Sequence, residues 1–152
     1  LEEKISYICW MSVKMIPHDR IKDFIFAGKS IFTIKNPKTG NRFTFKIGKS
    51  KSNDLFFVSV LTSPDHYEFL GTIFPQNIFR GSNRSLIKEG SPSLNVFKWF
   101  ISKMDMSSLP KFIEVWHEGC CARCGRRLTT PESIESGFGP ECIKKSKNGS
   151  NN

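Results

Sequence analysis

Between Ile31 and Ile47 apolar and polar residues alternate on both sides of a short polar break: Ile31-Phe-Thr-Ile-Lys, then Asn36-Pro-Lys-Thr-Gly-Asn, then Arg42-Phe-Thr-Phe-Lys-Ile. A period of two predicts strands, and Pro37 and Gly40 supply turn chemistry, so the segment reads as a β-hairpin. Alternation gives it two unlike faces. Phe32, Ile34, Phe43, Phe45 and Ile47 point toward a core, and Thr33, Lys35, Arg42, Thr44 and Lys46 point the other way. Leu55-Phe-Phe-Val-Ser-Val-Leu and Tyr67-Glu-Phe-Leu-Gly-Thr-Ile-Phe predict two more strands, joined through Ser63-Pro-Asp-His. Residues 75–90, rich in Gly, Ser and Asn, read as a long loop.

The period then changes. Leu94, Phe97, Phe100, Ile101 and Met104 recur at helical spacing after Ser91 and Pro92, which suit the N-cap and the first helical position. Ser107-Ser-Leu-Pro ends the helix, and Lys111-Phe-Ile-Glu-Val-Trp-His predicts a last strand. The fold expected is α+β: an antiparallel sheet of about four to five strands with one covering helix, plus a small C-terminal zinc-binding module. The divisions read as an N-terminal segment over 1–23 of open character, an α+β domain over 24–116, a zinc-binding module over 117–147 and a disordered tail over 148–152. Tyr7, Ile8, Trp10, Val13 and Ile16 suit either a short helix or a loose strand, and Met15 offers an internal start.

The module rests on cysteine placement. Of five cysteines, Cys9 stands apart and Cys120, Cys121, Cys124 and Cys142 cluster. Secreted disulfide frameworks spread cysteine along a chain; a tight cluster reads as a metal site in a reducing cytoplasm. Cys121 and Cys124, followed by Gly125, have the spacing of a zinc knuckle, and Cys142 follows Gly139-Pro-Glu, which suits a helix start. Three sulfurs leave a tetrahedral Zn2+ one ligand short. His117, on a strand face with Ile113 and Val115, is the first candidate for the fourth position. Cys120 is the second, although neighbours in an extended chain point opposite ways. Water would make the site catalytic. A redox dithiol is the competing reading of Cys-x-x-Cys, but no strand-to-helix context accompanies it.

From Cys121 to Cys142 the chain carries Cys-x-x-Cys-Gly-Arg-x-Leu-Thr-x-Pro-x-Ser-Ile-x-x-Gly-x-Gly-Pro-x-Cys. This resembles a small zinc-finger-like domain of unknown function that recurs in phage and bacterial proteins. The strand-rich region ahead of it also resembles the N-terminal part of many such phage proteins. The resemblance implies a metal site and a phage or bacterial source; it supplies no substrate.

Charge then points to a partner. The formal net charge is +9, and between Gly28 and Asn53 there are seven basic residues and no acidic one. Lys35, Arg42, Lys46 and Lys49 on the hairpin, Arg123, Arg126 and Arg127 on the knuckle, and Lys144 and Lys145 after Cys142 are the expected contacts to a nucleic-acid backbone, DNA or RNA. Trp99 and Phe138 could stack on bases or serve as packing. A protein partner, host or phage, is the alternative. Catalysis has little support: His18, His66 and His117 stand far apart, with no nucleophile motif, phosphate loop or metalloprotease signature. No stretch approaches the ~20 apolar residues of a membrane span, and the opening Leu1-Glu-Glu-Lys does not read as a secretory signal. The chain is expected to be a nonenzymatic cytoplasmic protein.

Overall fold

The computed structural model describes residues 14–52, 54–104, 109–128, 131–139 and 141–143. Strand β1 (Lys14–Met15) leads through Pro17 into helix α1 (His18–Ile25). Strands β2 (Lys29–Lys35), β3 (Arg42–Lys49), β4 (Phe56–Ser63) and β5 (His66–Phe74) follow as a meander. A 3-10 turn over Pro75–Asn77 reverses the chain into β6 (Ile78–Gly81). Helix α2 (Pro92–Met104), strand β7 (Glu114–His117) and the short helix α3 (Pro131–Ser136) complete the order, with residues 141–143 again helical.

The strands form a single antiparallel sheet in the order β1-β7-β2-β3-β4-β5-β6. The described residues therefore form seven strands in place of the four to five expected. The two additions are short edge strands. Two residues of β1 and four of β6 are too few to display a period of two, so residues 75–90 read as loop throughout.

The hairpin register is Thr33 opposite Thr44 and Lys35 opposite Arg42, so the two faces separate as alternation requires. On the inward face Phe32, Phe45, Ile47, Val58 and Val115 are fully buried. Helix α2 lays Phe97 on Phe45 (ring centroids 5.0 Å) and Phe100 on Phe32 (6.0 Å). The five apolar positions of its predicted stripe, Leu94, Phe97, Phe100, Ile101 and Met104, are all buried. The Asn95 N–H bonds to the Ser91 carbonyl at 3.0 Å, closing the first turn where the Ser-Pro pair predicts it. Trp99 is partly buried against the core and lines a 330 Å³ apolar pocket with Ile34, Phe43 and Phe112.

One helix is not the whole cover. Helix α1 buries Ile21, Phe24 and Ile25 in the same core and crosses the division placed after residue 23. The cysteine-rich segment joins that core as well, through Cys121, Ala122, Leu128, Phe138 and Cys142. Tyr7, Ile8, Trp10 and Val13, and the tail over 148–152, lie outside the described residues.

Candidate metal centre and open sheet face

Strand β7 ends at His117, and the chain doubles into a narrow ribbon. Cys120 bridges Arg127, the Leu128 N–H bonds to the Gly119 carbonyl (2.8 Å), and the Cys121 N–H bonds to Arg126 (2.7 Å). Its tip is a tight turn closed by the Gly125 N–H on the Cys121 carbonyl at 2.8 Å, with Gly125 at φ +82°. Two further bonds moor the turn. The Lys29 N–H at the start of β2 donates to the Ala122 carbonyl (2.8 Å), and the Ala122 N–H donates to Gly137 at the end of α3 (3.0 Å).

This folding brings Cys142 back to the turn. The sulfurs of Cys121, Cys124 and Cys142 all lie within 4.8 Å of one another. A tetrahedral ion with metal–sulfur bonds of ~2.3 Å spaces its sulfurs by ~3.8 Å, so the three fit one ion with small movements. The donor chemistry agrees. Burial pushes the Cys121 thiol up, but the N–H groups of Gly139, Cys124 and Arg123 outweigh it, and the net shift is downward toward thiolate. Burial holds Cys142 up, against the Arg123 guanidinium, whose Nη1 lies 3.8 Å from its sulfur.

The structure does not bring His117 to these sulfurs. Its Nδ1 accepts the Gly119 N–H at 3.0 Å, and its Nε2 lies 2.5 Å from the Ile134 carbonyl, to which it donates. Both ring nitrogens are thus committed, and the ring, 1% exposed, rests 6.0 Å from Phe24. His117 does point inward with Ile113 and Val115, as its strand position suggests. What it meets there is helix α3, so it ties strand to helix and does not complete the sulfur triad. Cys120, the reserve, sits in the ribbon opposite Arg127 and outside the triad.

His117→Ala should therefore leave metal stoichiometry intact while destabilising the fold by ~2–4 kcal/mol, because it orphans a buried carbonyl and N–H and opens a cavity. Burial, the largest influence, holds the His117 pKa below 6.5. Its contribution to stability is complete above pH ~6.5 and is lost as pH falls toward the depressed folded value, since the unfolded chain takes up the proton first. Thermal melts from pH 7.5 to 5 should drop more steeply for the native chain than for His117→Gln. Parallel curves would contradict this role.

Residues 116–147 match a family model. It is a family of unknown function, DUF6011. The matched segment contains the ribbon, the three clustered cysteines and helix α3. No curated protein and no solved structure matches the chain.

The second feature is the sheet face away from the helices. Thr33, Lys35, Arg42, Thr44 and Lys46 lie there together. Lys49 does not: it follows Phe45 and Ile47 in the alternation, pairs with Phe56 and belongs to the opposite face. Arg123, Arg126 and Arg127 are exposed on the ribbon. Gly125 rests against the Lys29 side chain, at 3.6 Å from where its own Cβ would lie, so the ribbon tip abuts the start of β2. Lys144 and Lys145 are outside the described residues.

Sequence reasoning passed over the aromatic residues of this face. Phe57 (43% exposed) and Phe69 pair at 6.4 Å, and Lys46 Nζ lies 5.4 Å from the Tyr67 ring centroid. Trp116 lies beside Thr33 and donates to Glu114 at 3.0 Å. The signal was present in Leu55-Phe-Phe-Val: adjacent residues of a strand face opposite ways, so Phe56 and Phe57 cannot both enter one core. Acidic groups gather on the β7 side, where Glu118 takes the Thr33 hydroxyl (2.5 Å) and Thr44 donates in turn to Thr33 (2.6 Å). Phe138, the other aromatic weighed for stacking, packs against Phe24 and is 6% exposed.

Proposed function

We propose that this is a nonenzymatic zinc-binding protein that contacts nucleic acid through the open face of its sheet, the metal holding the arginine-bearing ribbon against β2. One observation carries the reading: Lys35, Arg42 and Lys46 share a face on which no helix of the described residues packs, and Lys29 extends the row to the ribbon. From Lys29 to Lys35 a strand rises ~20 Å, long enough to follow several phosphates. Zinc suits three thiolates better than hard cations do. The clustered thiols favour a reducing cytoplasm, and the family resemblance favours a phage or bacterial source, where such a protein would act as an accessory factor.

Charge reversal of Lys35, Arg42 and Lys46 together tests the reading. Native affinity for an oligonucleotide should fall roughly tenfold or more between 50 and 200 mM salt, by counterion release at about three phosphates. The triple variant should lose binding at low salt and flatten that slope. Absence of native binding at low salt to either DNA or RNA would sink the reading. Nuclease-insensitive capture of one defined protein would instead support a protein-interaction module.

A further inference from the structure

The geometry points to single-stranded nucleic acid, rather than duplex, as the ligand of the open face; this rests on the nucleic-acid reading above. The register places five residues in one row across five strands: Lys29, Gly48, Phe57, Thr72 and Arg80. A cation stands at each end, an exposed ring stands at the centre, and Gly48 has no side chain to cover the flank of that ring. Phe69 and Tyr67 lie in the adjoining rows, opposite Ser59 and Leu61.

Two physical arguments favour unpaired bases. The row spans four interstrand gaps, ~19 Å at ~4.8 Å each. The major groove is ~12 Å wide. A face of that breadth cannot enter the groove, so a duplex could meet the flanking cations but would offer its bases only as paired, stacked edges. Phe57 would then stay exposed against phosphate and water. A single strand reverses the balance. Its bases have free π-faces that stack on aromatic side chains, while Lys29, Lys46 and Arg80 receive the phosphates. Lys46 serves both roles, because its ammonium already lies near the Tyr67 ring and leaves a cation beside a stacking surface.

Fluorescence anisotropy on the metal-loaded full chain tests this, using labelled oligonucleotides of ~12 nucleotides, within the range one domain can cover. The arms are single-stranded DNA, single-stranded RNA, the matching duplex and an abasic strand with the same number of phosphates. The two single strands should bind roughly tenfold or more tighter than the duplex, and the abasic strand should fall to duplex level. Phe57→Ala and Tyr67→Ala should each weaken single-strand binding roughly tenfold and leave duplex binding unchanged. Phe57→Leu, which keeps an apolar side chain without a π-face, should behave like Phe57→Ala. A preference for single-stranded RNA over DNA, or the reverse, would identify the source of the strand within the proposal. Binding of duplex equal to or tighter than single strands would overturn the inference and leave the nucleic-acid reading standing. So would single-strand binding unmoved by both aromatic substitutions. Failure of every probe at low salt would overturn both.

Discussion

Cys121→Ser should abolish metal retention and cost ~4 kcal/mol or more of stability. The purified native chain is expected to carry about one equivalent of zinc, and the free energy of a structural zinc site is folding free energy. The size of the effect follows from where the site sits. Cys121 is fully buried, its N–H and carbonyl both close the ribbon, and Ala122 beside it links β2 to helix α3. Loss of the ion leaves three clustered thiols, two of them buried, and Cys121 is drawn toward thiolate with no cation to balance it. Cys124→Ser and Cys142→Ser should behave alike, because each removes one corner of the triad. Cys120→Ser should keep the metal and nearly all the stability. Elemental analysis after dialysis against a chelator, with thermal melts of each variant, gives the comparison. Stoichiometric zinc in Cys121→Ser, or its loss in Cys120→Ser, would refute the assignment.

The second large effect is expected at Gly137. This residue ends helix α3 at φ +78°, with its N–H on the Ser133 carbonyl at 2.8 Å. An L side chain in that conformation costs ~1–2 kcal/mol by itself. A Cβ here would also lie 2.6 and 2.9 Å from two carbons of the Phe24 ring. Phe24 has nowhere to go: it is 1% exposed and held between His117 and Phe138. Overpacking of that kind adds ~1–3 kcal/mol. Gly137→Ala should therefore lose ~3 kcal/mol, or about 10 °C in Tm for a chain of this length. Gly90→Ala separates the two causes, since Gly90 has φ +89° and nothing within 4 Å of its would-be Cβ. It should lose only the backbone part. Equal losses at the two positions would remove the Phe24 contact from the account.

How far the chain could be read in advance depended on the length of each pattern. The hairpin and helix α2 were legible because Ile31–Ile47 and Leu94–Met104 repeat their periods long enough to choose a face. β6 was not, because Ile78–Gly81 has room for only one inward aromatic, Phe79, which reaches Phe97 at 4.9 Å. Helix α1 was missed for a similar reason: eight residues hold just Ile21, Phe24 and Ile25 as an apolar stripe. At the metal centre the cysteine spacing identified the three sulfurs that converge. It could not identify the role of His117, since a histidine four residues before a knuckle serves equally as ligand or as hydrogen-bonded core residue. The positions of the Ile134 carbonyl and the Gly119 N–H distinguish them. Lys49, grouped by sequence with the hairpin's other basic residues, falls on the opposite face: a cluster of basic residues says nothing about parity within a strand.

The hydrogen bond from the Lys29 N–H to the Ala122 carbonyl joins the first residue of β2 to the turn between Cys121 and Cys124. If the turn carries the proposed ion and the face the proposed ligand, this bond makes them two parts of one equilibrium. Any ligand that binds better when the turn is docked on β2 must raise the affinity for the metal that docks it, and the metal must raise the affinity for the ligand by the same factor. Occupancy at one place would then be a measure of occupancy at the other, and the proposed ion would be held most firmly when the proposed ligand is bound.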